Sequence, residues 1–459
     1  MGQVKVSVII PVYNGAAYIR ECMDSIVCQT LKEIEIIPVD AGSTDGTVEI
    51  LQEYAKKDSR IKLLFSDKKS MGYQTNRGIS AAKGEYIGFC EADDYLAPTM
   101  YERLYEMVSE NCLDYVKSDF DMFVDHDERM FLRYRILDGG KADLYGSVIC
   151  PRDMSYLVFR DVNMWNGIYK RAFIKQNNIR LNETPKAAFQ DMGFVLQTLL
   201  LANKAMYVRE EANRYRRDNV NSSVYDQKSL LFVTWELEYF YAFLMAHKIE
   251  GQEILAAVLK RFLTSFCEYY GRLPGIADLT EEVRHGIESF RQILRKFYAL
   301  LEYGTRSLAG LDCMLDLKLL LEEDSFFDAY RRQKAELDRK YLREFYSRVC
   351  KSPKTVIFGA GECGTACYAM LRHNSYKGTL CFCDNNEALW NKDVMGLKVL
   401  SLEKVLETYG RDVLFLLANV EHWQDMYHQL RSFGIEDSVC KAVSVGPHAA
   451  FETKLPLPV

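Results

Sequence analysis

Short, continuous apolar runs alternate along the first hundred residues with stretches of helical spacing. Val6 to Val12 is one run and stops at the polar turn Tyr13-Asn14. Ile34 to Val39 is a second and ends in Asp40-Ala41-Gly42-Ser43-Thr44-Asp45-Gly46-Thr47. Gly84 to Cys90 is a third and ends in Glu91-Ala92-Asp93-Asp94. Runs of this kind predict a buried parallel sheet with crossover helices on both faces. Ligands of such sheets bind outside the carboxyl ends of the strands. All three ends carry polar turns and two carry clustered carboxylates, so the pattern predicts an acidic, nucleotide-sized site at one edge.

The pattern divides the chain into three parts. Residues 1–224 read as the α/β unit. Residues 225–350 read as helices, with Leu255, Val258, Leu259, Phe262 and Phe266 recurring on one face. Lys351-Ser352-Pro353 marks a boundary, after which βα alternation resumes over 351–459. There, Val356-Ile357-Phe358 runs into Gly359-Ala360-Gly361-Glu362-Cys363-Gly364, and Asp384 ends the next apolar run. A GxGxxG between strand and helix, with an acid about 20 residues on, is the context of a dinucleotide fingerprint. Gly359, Gly361 and Gly364 would admit a phosphate to the helix N-terminus, and Asp384 would hold ribose hydroxyls. NAD binding, binding of another nucleotide and a purely structural role are all compatible with this region.

Composition narrows the classes. The 459 residues suffice for two or three domains, at 48% hydrophobic and 27% charged. A net charge of −6 gives no sign of a nucleic-acid surface. Thirteen cysteines without a framework point to free thiols in a reducing compartment. No run reaches the roughly 18 apolar residues that a membrane span needs. The expectation is a cytoplasmic protein, with peripheral association at the inner face of the membrane left open.

The ordered set IIPVYN, VDAGSTDGT and GEYIGFCEADD resembles the family 2 glycosyltransferases, whose nucleotide-binding fold is called GT-A. The resemblance covers about the first half of the chain. It implies an N-terminal GT-A unit with a Rossmann-like mixed sheet, which together with the helical middle and the small C-terminal Rossmann-like domain read from the pattern gives an α/β architecture. It implies an inverting transfer of a sugar from a nucleotide diphosphate to a hydroxyl of a glycan or lipid-linked acceptor, in cell-surface polysaccharide synthesis. By this resemblance Pro11, Val12, Tyr13 and Asp40 lie along the nucleoside. Ala41 stands where the family usually has a second acid. Glu91, Ala92, Asp93 and Asp94 match the acidic metal motif, usually Asp-x-Asp. Asp93 is then a ligand of Mn or Mg, Asp94 a neighbouring or supporting ligand, and Glu91 reaches the ribose or a metal-bound water. Ser43 and Asp45 are expected to cap the helix near Thr47.

Further matches extend the expected site. Asn76 and Arg77 lie in the segment under the donor phosphates, and Arg77 could equally pair with a scaffold acid such as Glu85. Trp165 is either a platform for the sugar or a core residue. Arg216 and Ser222 belong to a segment resembling a loop that closes on the diphosphate. Asp191 matches the family's general base, with Gln190 in place of the usual Glu. At a helix start it is expected to stay ionised, favoured by the dipole. The helical middle either shapes an acceptor cleft or forms a homodimer. Two rival readings are an NAD-dependent sugar-nucleotide oxidoreductase centred on 359–384 and a non-catalytic sugar-nucleotide-binding protein.

Overall fold

A computed structural model describes residues 3–125, 129–138, 140–219, 229–273, 279–302, 311–322, 324–420, 422–435, 439–442 and 450–451. The chain forms two compact units. The first comprises Met1–Phe120, Arg135–Tyr215 and Asn219–Arg332, and the second Asp121–Tyr134, Arg216–Asp218 and Gln333–Val459.

The first half runs β1 (Val6–Val12), α1 (Ile19–Val27), β2 (Ile34–Asp40), α2 (Thr47–Lys57), β3 (Leu64–Phe65), α3 (Met71–Ala81), β4 (Tyr86–Phe89), β5 (Tyr95–Leu96), α4 (Met100–Asn111), β6 (Tyr115–Asp125), β7 (Arg129–Tyr134), α5 (Leu157–Arg160), β8 (Gly167–Lys170), α6 (Arg171–Gln176), α7 (Gln190–Leu201) and β9 (Ala205–Arg216). The strand order is β3-β2-β1-β4-β8-β6-β9-β5, with β7 paired to β6. β1 lies parallel to β2 and β4. β8 then enters antiparallel between β4 and β6, which turns the parallel core into a mixed sheet. One face of β1, through Val6, Val8, Ile10 and Val12, packs with Ile19, Cys22, Met23 and Ile26 of α1. The other face meets α3: a Cβ on Gly78 would lie 2.4 Å from the Ile9 side chain. Coverage on both sides is why the run is apolar throughout rather than alternating.

The helical region holds α8 (Ser229–His247), α9 (Gln252–Tyr270), α10 (Glu281–Ala299), α11 (Leu311–Glu322) and α12 (Asp324–Lys351). Leu255, Val258, Leu259, Phe262 and Phe266 of α9 are all buried, as their spacing predicts. Phe266 stacks on Phe290 of α10, with centroids 3.9 Å apart. α8 contacts α7, α9 and α10.

In the second unit β10 (Thr355–Phe358), α13 (Glu362–His373), β11 (Thr379–Cys383), β12 (Asp393–Val394), β13 (Leu397–Leu400), α14 (Leu402–Tyr409), β14 (Leu414–Leu417), α15 (Trp423–Ser432) and β15 (Val439–Lys441) form a second, six-stranded sheet. Its order is β12-β13-β11-β10-β14-β15, parallel except for β12. The order reverses beside β10, which is the doubly wound arrangement. All thirteen cysteines lie outside disulfides.

The three fingerprint glycines do different work. Gly359 has φ +110°, and a Cβ on Gly364 would lie 1.8 Å from the Gly359 carbonyl oxygen. Among the described residues, no heavy atom beyond its own chain neighbours lies within 4 Å of a Cβ built on Gly361. Gly364→Ala is therefore expected to destabilise this unit by roughly 3 kcal/mol through overpacking, while Gly361→Ala leaves thermal unfolding close to the parent. Equal melting curves for the two variants would contradict this assignment.

Candidate active site

The site starts from the strand ends. Val12 of β1 pairs with Asp40 of β2, and Ile9 pairs with Phe89 of β4, so the three turns leave the sheet side by side. Their last carbonyls need donors. Ala41 donates its N–H to the Val12 carbonyl (3.1 Å), and Cys90 donates to Ile9 (3.1 Å). Gln74 of α3, 3% exposed, donates its amide to the carbonyls of Val12 (2.8 Å) and Val39 (2.6 Å). Gln74 was not among the residues singled out by the sequence; a lone glutamine in a helix gives no signal there.

The first two turns are stitched together by polar side chains. Asp40 is fully buried and accepts the N–H groups of Gly42 (2.8 Å) and Ser43 (2.9 Å) and the Ser43 hydroxyl. The Asn14 N–H donates to the Ser43 hydroxyl (2.8 Å), while Asn14 Oδ1 accepts the Thr44 N–H (2.9 Å). Asp45 accepts the Ala16 N–H (3.0 Å) and the Thr47 N–H and hydroxyl, so it caps α2 as expected. Ser43 instead joins Asp40 to the first turn. Burial opposes charge on Asp45, but the Thr47 hydroxyl and the backbone donors outweigh it and hold the carboxyl below its ordinary range. Asp40, expected along the nucleoside, is placed here as the keystone of its own turn.

Above this lies an open surface. Tyr13 is 43% exposed, and Lys69 sits 4.3 Å over its ring while donating to its hydroxyl (2.6 Å). Pro11 is partly exposed and Val12 buried. The acidic turn is next to it: a Cβ on Gly15 would meet Val12 at 3.2 Å and the Ala92 Cβ at 3.6 Å. Glu91, Ala92 and Asp93 are partly exposed, whereas Asp94 is 1% exposed. Asp93 Oδ2 accepts the side-chain amide of Asn219 (2.7 Å), a partner the sequence did not suggest. Asp94, expected as a neighbouring or supporting metal ligand, is buried, whereas Asp93 and Glu91 reach the surface of the turn. Among the described residues no three His, Cys, Asp or Glu side chains gather as a metal cage. One or two carboxylates that leave the remaining positions to phosphates fit a hard divalent cation, so the oxygen donors present suit Mn or Mg.

Four expected contacts are placed elsewhere. Asn76 is buried and clamps the chain at Leu181, donating to its carbonyl (2.8 Å) and accepting its N–H (3.1 Å), with Glu183 at 3.1 Å. Arg77 lies 3.6 Å from Asp67, not at Glu85. It lines a cavity of about 900 Å³ with Tyr73, Arg180, Glu183 and Tyr239, along α3 and apart from the acidic turns. Trp165 is 1% exposed, 4.7 Å from Phe120 and 4.8 Å from Tyr215 between ring centroids. Of the two roles left open for it, Trp165 takes that of a core residue: its segment feeds β8, a central strand. Arg216 is 7% exposed, over the Phe123 ring at 4.5 Å and paired with Asp218 at 3.4 Å, which leaves no open fork for a diphosphate. Ser222 lies outside the described residues.

Asp191 opens α7. The loop before it is strained and strapped down. Lys186 and Phe189 have φ of +70° and +66°, values that L side chains adopt at a cost of order 1 kcal/mol or more. Lys186 exchanges backbone hydrogen bonds with Lys69 (2.8 Å) and Met71 (2.9 Å) at the start of α3. The buried Gln190 accepts the Ala188 N–H and donates to Thr184 and Lys186, closing the loop on itself. Phe194 packs edge-on to Phe89, centroids 5.3 Å apart, which seats α7 on the end of β4. Asp191 keeps partial contact with solvent, yet its surroundings are apolar and crowded: α7 is buried from Met192 to Leu200. Burial therefore raises the Asp191 carboxyl above its ordinary value, while the helix-start N–H groups of Met192 and Asp191 and the charges of Arg261 and Lys117 pull it back. The helix start that was expected to keep it ionised is thus opposed by burial. Behind it, the fully buried Lys117 pairs with Asp161, which also accepts the Tyr207 hydroxyl (2.7 Å).

In the second unit Asp384 accepts the N–H groups of Ala360 (2.7 Å) and Asn386 (2.8 Å). The residue expected to hold NAD ribose hydroxyls is placed as a brace of the glycine loop.

The sequence profile of glycosyl transferase family 2 matches residues 7–184. The uncharacterized glycosyltransferase EpsJ of Bacillus subtilis is 32% identical over 222 residues, covering 47% of this chain and 62% of EpsJ. The glycosyltransferase GlyG of Streptococcus pneumoniae is 31% identical over 217 residues, covering 46% of this chain and 70% of GlyG. The chain thus spans about three fifths of EpsJ and somewhat more of GlyG. Staphylococcus aureus TarS 1–349, solved in complex with UDP-GlcNAc, shares the fold with a TM-score of 0.55 at 20% identity, over 73% of this chain and 91% of that one. Strand ends stitched as above, an acidic turn beside them and this set of relatives agree: the chain belongs to glycosyl transferase family 2 and carries its GT-A fold in the N-terminal half.

Proposed function

We propose that the chain is a metal-dependent, inverting glycosyltransferase that moves a sugar from a nucleoside diphosphate, a uridine diphosphate in our reading, to a hydroxyl of a glycan or lipid-linked acceptor in cell-surface polysaccharide synthesis. The observation that carries the reading is the part-exposed carboxylate of Asp93 beside the open first turn, with Asp191 on a helix seated against the same strand. TarS, bound to UDP-GlcNAc, supports the choice of base by likeness of fold.

The roles follow from the chemistry required. Tyr13 and Lys69 offer an aromatic face and a cation to the nucleotide. Asp93, with Glu91 beside it, would hold the divalent cation, which when bound supplies charge neutralisation at the diphosphate. Asp191 takes the proton of the acceptor hydroxyl as that oxygen bonds to the anomeric carbon. The bond from that carbon to the diphosphate breaks with its electron pair, and the nucleoside diphosphate leaves. A single displacement inverts the anomeric configuration.

Asp191 must be ionised to act. Because burial raises its carboxyl, transfer should fall on the acid side at a pH above the ordinary Asp value of about 3.9. Asp191→Asn is expected to keep donor binding and to lower kcat by roughly 100-fold or more. The same change should raise Tm at neutral pH: the folded parent binds its proton more tightly than the unfolded chain, so it loses stability as pH rises from the unfolded value through the folded one. Steady-state rates against pH and thermal unfolding check both. Undiminished transfer by Asp191→Asn would remove the base assignment.

A further inference from the structure

α8, the first helix after the α/β unit, carries one acid into the interior. Glu236 is 1% exposed, and neither carboxyl oxygen has a hydrogen-bond partner among the described residues. It is aimed at α7: a Cβ built on Gly193, two residues after Asp191, would fall 1.7 Å from Glu236 Oε1. Only a glycine there lets the carboxyl lie against the helix that bears the candidate base. Asn182 is close enough to act on the Glu236 carboxyl, but its amide is engaged by the Trp235 carbonyl (3.1 Å). An isolated carboxylate in such a place is costly, and the group responds by holding its proton.

We propose that Glu236 is a positioning residue for the candidate base: a neutral carboxyl, supplied by the helical region, that lies against the helix bearing Asp191 and leaves the negative charge there to Asp191 alone. The inference rests on the reading of Asp191 as base. Two interacting carboxyls, one fully buried and the other in partial contact with solvent, do not both ionise readily near neutrality; the environment separates them into a charged and a protonated member. Burial pushes Glu236 up to about 8; Asn182 pulls it back and the charge of Asp191 adds to the rise.

The other charges around the pair leave this division in place. Lys117 on β6 and Arg261 on α9 act on Asp191 and favour its ionised form. Burial pushes the Lys117 ammonium down, and its direct partner is Asp161. Arg180 and Glu183 lie on the chain segment around Asn182, and Tyr239, one turn along α8, donates to the Arg180 carbonyl (3.1 Å). α10 turns Val283, Gly286, Ile287 and Phe290 inward, and its Arg291 pairs with Glu288 at 3.6 Å.

The test uses the full chain and two readouts. Infrared difference spectra between pH 7 and pH 9 should show a carboxylic acid that ionises near pH 8 in the parent and is absent from Glu236→Gln. Transfer by Glu236→Gln should stay within about 2-fold of the parent below pH 7, because the amide mimics the neutral acid. Above pH 8 the parent should gain severalfold as the new charge makes Asp191 a stronger base, and Glu236→Gln should show no such step. Its Tm should also escape the fall that the parent shows as pH rises from about 4.5 toward 8. Gly193→Ala, which must displace the carboxyl, should remove the same infrared band should the first variant fail to fold. No titrating acid in the parent, or an alkaline step that survives Glu236→Gln, would overturn the pairing. A titrating acid together with full transfer by Asp191→Asn would instead sink the base assignment and leave the buried acid standing.

Discussion

Three parallel strands end side by side, and the backbone groups at those ends must be satisfied without closing the surface above them. That constraint organises the N-terminal unit. The Gln74 amide serves the carbonyls of Val12 and Val39 from below, and Asp40, Ser43, Asn14, Asp45 and Thr47 knit the first two turns from the side. Each of these hydrogen bonds is worth only about 1 kcal/mol net, but leaving any buried member unpaired would cost more than that. The result is a rigid rim on which Tyr13, Glu91 and Asp93 stay at the surface. Pre-organisation of this kind is what a site needs when its chemistry is mostly positioning and charge stabilisation.

The second half of the proposed site is made differently. Asp191 reaches it through a strained loop strapped to the start of α3 and a helix seated on β4 by Phe194. Its environment holds the carboxyl uncomfortably, with burial working against charge and Lys117 and Arg261 working for it. Groups poised this way are frequent where a proton must move, because a base too easily ionised is also too weak. The helical region contributes here as well as to packing, since α8 brings Glu236 against Gly193.

Much of this was legible in the sequence. Continuous apolar runs gave the parallel core, and clustered acids after two of them gave the edge that carries the site. Helical spacing identified the buried face of α9. What was not legible depends on which way a side chain points at equal sequence signal. Asp93 and Asp94 are neighbours, yet one faces out and the other is buried. Asn76 and Arg77 read as donor contacts, but the helical turn sends Asn76 to the Leu181 backbone and Arg77 to Asp67. Trp165 stayed open between platform and core because the strand that follows it, β8, is four residues long and carries no alternation long enough to announce a central strand. Gln74, Asn219 and Glu236 were invisible because a single amide or acid acquires its role only from partners distant along the chain.

The central claim is that Asp93 gives the departing diphosphate its counter-charge by holding a divalent cation. Calorimetric titration of UDP into the parent and into Asp93→Asn, each with Mn and with a chelator, tests it most directly. Binding in the parent should tighten at least tenfold with Mn, and Asp93→Asn should show the same weak affinity with or without it. Equal affinities in the parent under both conditions, or an undiminished Mn effect in Asp93→Asn, would contradict the account.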